Sequence, residues 1–200
     1  MRPVNHIEGT MVSLPRSDID TDQIIPQKHL KRVDRSGYGD VLFDYWARDD
    51  DGDLRPEFPL NDARRRDARV LVTGANFGCG SSREHAVWAL LDRGIEAVIA
   101  TSFADIFKNN SVDNGLLTVT LPASTIEELH RLCSDHELRA RISLEDQTVM
   151  VGDRTWHFDI DTESRTRLLA GLDPIAVTLI SEDAISRFEA HRPDWMPSIG

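Results

Sequence analysis

Ser81, Ser82 and Arg83 stand together at the end of a glycine-punctuated stretch, Gly74-Ala-Asn-Phe-Gly-Cys-Gly-Ser-Ser-Arg-Glu-His-Ala86. An arginine presents a planar fork of donors that can grip a carboxylate with two bonds. A serine hydroxyl is a poor base in water and serves as one only where its alkoxide is stabilised by nearby positive charge and oriented dipoles. Gly74, Gly78 and Gly80 let the backbone turn through positive φ or approach a ligand closely. The stretch therefore has the makings of a carboxylate or phosphate site. Two better-known glycine motifs do not fit. A P-loop would need a second glycine and a lysine, but Cys79 stands five residues after Gly74 and no lysine precedes Ser81. A dinucleotide fingerprint would need glycine where Arg83 stands. A tight strand-to-helix turn explains two glycines and a cap, but not five polar residues in a row, Ser81 to His85.

The elements that must hold this stretch are legible on either side. Arg69-Val-Leu-Val-Thr73 is an apolar, strand-like run, and Ala86 to Arg93 has a helical pattern closed by Gly94. Ser81 and Glu84 have the spacing of a capping box, which predicts a helix starting at Ser81, its unpaired amides and positive dipole end facing the turn. Glu96-Ala-Val-Ile-Ala100 reads as a second buried strand, and Ser102 to Asn110 as a second helix capped by Ser102 with Asp105 three residues on. Leu116-Leu-Thr-Val-Thr120 reads as a third strand after Gly115. Strand–helix–strand–helix–strand is the pattern of parallel units, whose ligands sit at the carboxyl ends of the strands, where the glycine turn lies. Asn109, Asn110 and Asn114 are read as helix-end caps.

Upstream, His6 to Leu14 alternates as strand, and Asp18-Ile-Asp-Thr-Asp22 follows. It is not a calcium loop, because Gln23 and His29 stand where glycine and glutamate are needed. Nor is it a phosphatase motif, since Asp22 stands where threonine or valine belongs; from the residues alone it is an Asp-rich turn before Ile24-Ile-Pro26. Lys28, Lys31, Arg32 and Arg35 form a basic patch, with Lys28 and Arg35 read as solvated. Gly37 and Gly39 around Tyr38 suggest a mobile loop. Asp49 to Asp53 and Arg64 to Arg66 read as solvated charge runs. Downstream come an amphipathic helix from Ser124 to Leu132, an antiparallel meander from Arg139 to Phe158, and helices at Thr162 to Ala170 and Ser181 to Phe188. Residues 192–200 read as a mobile tail. The coarse fold is mixed α/β, a short parallel βαβ core with antiparallel additions.

Composition narrows the partners. Two hundred residues make a single domain spanning 1–200, large enough to bury about 70% of its unfolded surface. A net charge of −11 disfavours nucleic acid, which needs a basic face. No apolar run approaches the ~20 residues of a membrane span, and the polar N-terminus does not read as a signal peptide; the expected location is the cytoplasm. The two cysteines, Cys79 and Cys133, are too few for an iron–sulfur cluster, so no metal site is expected on this chain. Cys79 would be reactive if a helix end lowered its pKa, and is equally well read as a small residue that fits the turn. Cys133 is read as core.

Asn76 to Ala86, together with Asp20-Thr-Asp-Gln-Ile-Ile-Pro26, Phe103-Ala-Asp-Ile-Phe107 and Gly171-Leu-Asp173 in the same order, resembles the swivelling domain of the aconitase superfamily. Within it, the resemblance is closest to small subunits of 3-isopropylmalate dehydratase, and it covers nearly the whole chain. It implies a three-layer β/β/α swivelling-domain fold and a hydro-lyase of leucine biosynthesis. It also implies a large-subunit partner carrying a [4Fe-4S] cluster that this chain does not bind. Carried over residue by residue, Ser81 is the base, and Gly80, Ser82 and Arg83 bind substrate carboxylate. Asp22, in preference to Asp20, is the carboxylate that partners a catalytic histidine of the other subunit. Leu30, Val33 and Tyr38 are the apolar candidates to read the substrate's side group. The same turn would serve small subunits of a homoaconitase, citraconate hydratase or dimethylmalate hydratase. A non-catalytic dicarboxylate-binding regulatory module is the reading from another class; it needs the cation but not the serine.

Overall fold

The computed structural model describes residues 1–30, 36–135 and 138–192. Its frame is one seven-stranded sheet: β1 (His6–Leu14), β2 (Ala68–Thr73), β3 (Ala97–Ala100), β4 (Leu117–Thr120), β5 (Arg139–Ser143), β6 (Thr148–Val151) and β7 (Arg154–His157), ordered β4-β3-β2-β1-β5-β6-β7. The first four strands are mutually parallel and the last three antiparallel, which is the expected parallel core with antiparallel additions. The strand His6–Leu14 is the junction. Its first half pairs antiparallel with β5 (His6 opposite Ser143, Thr10 opposite Arg139), and its second half pairs parallel with β2 (Met11 opposite Val70, Leu14 opposite Thr73). The change of partner coincides with a register shift between Thr10 and Met11.

Strand alternation sorts the core into two faces. Val12, Leu14, Leu71, Val98 and Ala100 join one apolar cluster, and Met11, Val70, Val72, Ala97, Ile99, Leu117 and Val119 join the other. The first face is covered by α3 (His85–Asp92) through Ala86, Val87, Ala89 and Leu90, with Tyr38, Phe43 and Phe58. The second is closed by Ile126, Leu129 and Cys133 of α5 (Ala123–Asp135), by Leu168 of α6 (Thr162–Ala170), and by Ala140, Ile142, Val149 and Val151 of the antiparallel half. The two β layers are thus halves of one curled sheet, and Cys133 is core, as expected.

Several boundaries differ from the sequence reading. Asp18 to Asp22 is not only a turn: Asp20 caps a one-turn helix, α1 (Thr21–Ile24), in a reciprocal capping box with Gln23. The helix α4 (Asp105–Asn114) starts after Ala104, and Ser102 instead accepts the amide of Asn76 at 2.8 Å. Its C-terminal cap is Gly115, at φ 84°, not an asparagine. A helix absent from the sequence reading, α7 (Pro174–Leu179), is capped by Asp173, and α8 (Glu182–Ala190) follows it. Gly39 is not part of a mobile loop. Its amide donates to Asp92 at 2.7 Å, and a Cβ there would lie 2.6 Å from the Arg93 nitrogen. Val33, Lys31, Arg32, Arg35 and the tail with Trp195 lie outside the described residues.

Candidate active site

The site is built where the parallel strands β1 and β2 end together. Their outgoing loops run side by side and are laced by backbone bonds. Gly74 and the Thr73 hydroxyl donate to the Arg16 carbonyl (2.9 and 3.0 Å), Asp18 to the Ala75 carbonyl (2.9 Å), Gly78 to the Ile19 carbonyl (2.8 Å) and Thr21 to the Cys79 carbonyl (2.9 Å). Side chains add to the lacing: Asn76 donates to Asp18 at 2.8 Å, and the Thr21 hydroxyl to the Ser81 carbonyl at 3.0 Å. Two pieces of chain far apart in sequence are so fixed as one platform.

Beneath the platform lies Phe77, fully buried. Its ring meets Phe107 edge-on at 5.1 Å and Phe103 at 6.3 Å, while its amide donates to Ser102 and its carbonyl accepts from Ala104. Gly78 sits at φ 76° directly over this trio, where a Cβ would come within 2.2 Å of Phe107. Gly80 has φ 89° but room around it, its nearest neighbour being Asp20 at 3.4 Å, so its glycine is required by conformation rather than space. The Phe103–Phe107 segment thus supports the turn from below, a role the sequence reading does not assign.

The predicted helix start at Ser81 is not observed. The helix begins at His85, with Glu84 in the cap position and no side-chain cap. The Glu84 carboxylate is engaged elsewhere: it accepts the Trp88 indole N–H at 3.2 Å and the Asn114 amide at 2.8 Å, tying α3 to α4. Asn114 is therefore a strut between two helices, not a cap. Ser81, Ser82 and Gly80 are exposed on the bend before the helix. Helix-dipole effects fade within the first turn, so positive charge at Ser81 must come chiefly from Arg83. The same displacement removes the case for a reactive Cys79: burial, then Asp20 and Asp18, push its thiol up rather than down.

Arg83 and Asp22 are brought together. The Arg83 Nη1 donates to Asp22 Oδ1 at 2.5 Å, and the same oxygen accepts the Gln27 amide at 2.9 Å. The Arg83 hydrogen bond holds the Asp22 carboxyl below its ordinary range. Asp20, spent as a cap, does not reach this position. His85 faces inward, its ring 5.5 Å from Tyr38 and 4.5 Å from Trp88, and burial lowers its pKa so that it stays neutral near pH 7.

Of the residues proposed to read the side group, Leu30 is half-buried against the core, and Tyr38 is fully buried against His85 and Trp88 rather than open to a ligand. Asp44, which the sequence reading passes over, organises this region. It is 7% exposed and binds Lys28 at 2.6 Å and His29 at 3.0 Å, with Arg48 at 3.4 Å. Lys28 is therefore an ion-pair partner, not merely a solvated charge. Burial alone would raise the Asp44 carboxyl, but the Lys28 and His29 hydrogen bonds outweigh it and hold it low. The signal in the sequence is a lone acid inside Val41-Leu-Phe-Asp-Tyr-Trp46.

Among the described residues no group of three or more His, Cys, Asp or Glu side chains is placed to hold a metal ion, and Cys79 and Cys133 lie in different parts of the fold. The residues present do not fit an iron–sulfur cluster. No helix among the described residues is long and apolar enough to cross a membrane.

Residues 1–124 match the family model of the aconitase C-terminal domain. Residues 175–197 match the model of the C-terminal domain of 3-isopropylmalate dehydratase small subunits. The chain is 48% identical over 200 residues to the 3-isopropylmalate dehydratase small subunit of Rubrobacter xylanophilus, covering all of both chains. It is 49% identical over 195 residues to that of Roseiflexus sp., covering 96% of each. A crystal structure of a 3-isopropylmalate dehydratase from Methanocaldococcus jannaschii superposes with a TM-score of 0.67 at 27% identity, covering 91% of this chain and 98% of that one. With the glycine turn, its serines and its arginine in place on this sheet, the chain belongs to the family of 3-isopropylmalate dehydratase small subunits.

Proposed function

We propose that this chain is the small subunit of a two-subunit hydro-lyase that interconverts 2-isopropylmalate and 3-isopropylmalate through 2-isopropylmaleate, a cytoplasmic step of leucine biosynthesis. The observation that carries this reading is the platform at the ends of β1 and β2, where exposed serine hydroxyls stand beside a guanidinium on a buried aromatic base. Moving a hydroxyl between adjacent carbons by elimination and readdition of water needs a proton acceptor at one carbon, cationic support for the carboxylate-delocalised anion, and a Lewis acid for the departing hydroxide. Ser81 takes the proton. Arg83, with the Ser82 hydroxyl and the Gly80 backbone, holds the substrate carboxylate and lowers the energy of both alkoxide and carbanion. No group among the described residues is placed to hold a metal ion for the third need, which is assigned to the [4Fe-4S] cluster of the large subunit. Asp22 partners the large subunit's histidine in the assembled site, a reading its 45% exposure supports. Leu30 and Val33 contact the isopropyl group, whereas Tyr38 is fully buried away from it.

The test is reconstitution with a cluster-loaded large subunit and 3-isopropylmalate, following the absorbance of the unsaturated intermediate. Turnover that requires both chains is the expected result. Turnover by this chain alone would overturn the two-subunit reading. Turnover only with homoaconitate, citraconate or dimethylmalate would keep the mechanism and move the substrate.

A further inference from the structure

The carboxylate and the guanidinium of the site are already bonded to each other. Asp22 is 45% exposed and Arg83 18%, so the pair lies at the surface with the carboxylate as its open side. Asp22 Oδ1 is shared between Arg83 Nη1 and the Gln27 amide, while Oδ2 makes no hydrogen bond among the described residues. On Arg83, Nη1 is taken, and Nε and Nη2 donate to nothing among the described residues. Two consequences follow for an incoming carboxylate. The end of the fork, which offers Nη1 and Nη2 together, is partly taken by Asp22, which leaves the Nε and Nη2 side as the free edge for a two-bond grip. The positive charge that would attract the anion is cancelled at contact distance by Asp22. The backbone that carries Asp22 is fixed on α1 by the Asp20–Gln23 capping box, so only its side chain need turn to release Arg83.

We propose that Asp22 is a built-in surrogate for the substrate carboxylate, masking Arg83 in the free chain until a donor on the large subunit draws Asp22 away. This rests on the reading of Arg83 as the substrate-carboxylate residue. A half-exposed ion pair is cheap to break, so a partner donor reaching the open Oδ2 suffices to shift it. Arg83 becomes a full cation only when the complete site has formed, which ties substrate binding to assembly and keeps the free subunit from capturing dicarboxylates.

The experiment uses the full chain without its partner, with maleate as the probe, in titrations followed by calorimetry and by the NMR signal of the Arg83 side chain. Asp22→Asn is expected to bind maleate about fivefold more tightly than the wild type, the upper end of the worth of one exposed neighbouring charge. The gain should vanish in Asp22→Asn with Arg83→Ala, and Asp22→Ser should reproduce it if the asparagine variant folds poorly. Asp18→Asn removes an equal charge from the same platform, but from a partner of Asn76 rather than of Arg83, and should give no gain. A gain of threefold or less for both Asp22 variants overturns the proposal, and so does an equal gain from Asp18→Asn, which would mean general charge repulsion. A merely structural role for Asp22 predicts a loss of binding, not a gain. Because the readout involves no turnover, an enzyme inactive in reconstitution would leave the masking result standing, and a failed masking result would leave the reconstitution standing.

Discussion

The glycine turn and the segment from Gln27 to Asp44 flank the same site and are held in opposite ways. The turn is fixed from beneath and along its length, by Phe77 in its aromatic trio and by backbone bonds to the neighbouring loop. The described parts of the other segment, residues 27–30 and 36–44, are gathered by the buried Asp44 carboxylate, which binds Lys28 and His29, and by the Gly39 amide on Asp92, with Phe43 at φ 54°. A group that must accept a proton at one fixed carbon needs the first kind of support, since small displacements of reacting groups cost large factors in rate. A segment that reads the shape of a side group can rest on an ionic clasp whose strength depends on few residues.

The comparison breaks most visibly at Gly78. Gly78→Ala combines a positive φ with a Cβ 2.2 Å from Phe107, and strain plus overpacking should cost about 3 kcal/mol. For a domain of this size that is a fall of roughly 6–12 °C in Tm, with activity lost in parallel because the platform moves with its base. An unchanged Tm would mean that the turn is not seated on the core.

Asp44→Asn should cost less, about 1–2 kcal/mol for the weakened Lys28 and His29 contacts. Its signature is the opposite one: in the assembled enzyme KM and the preference among side groups change, while kcat holds. Equal losses of kcat and kcat/KM would show that the clasp serves the reacting groups instead.

The smallest effect is one of pH. Burial lowers the pKa of both His85 and His130 below the ordinary 6.5. The unfolded chain therefore takes up protons first, so their stability contribution is complete above about pH 6.5 and declines as pH falls through that value. The depressed carboxyls of Asp22, Asp44, Asp62 and Asp161 act lower: their contribution is present above about pH 4 and is lost as pH drops through their folded values. Tm against pH should step down in two stages, and His130→Gln should flatten the upper one. A flat profile from pH 7 to 5 would exclude the upper stage.

The same two regions show what the sequence reveals. The turn's glycines, serines and arginine, and the strands and helices around it, are readable because their signals are local. The Ser81–Glu84 spacing misplaces the helix start because it fits a cap, whereas Glu84 is claimed by Trp88 and by Asn114, thirty residues away. Ser102 fails as a cap for the same reason, its hydroxyl serving Asn76. The Asp44 clasp escapes because Lys28 and His29 lie fifteen or more residues back and Phe43 adopts a conformation its residue type disfavours. The Asp22–Arg83 pair joins two motifs that are each legible but sixty-one residues apart. No local rule foretells that they meet.

The central claim is that a serine on this chain performs the proton transfer of a reaction completed by another subunit. Its most direct test is kcat for Ser81→Ala in the reconstituted complex, with complex formation verified. The account predicts a fall of about a thousandfold or more with KM little changed, the signature of a group acting in the transition state. A kcat equal to that of the wild type would contradict it.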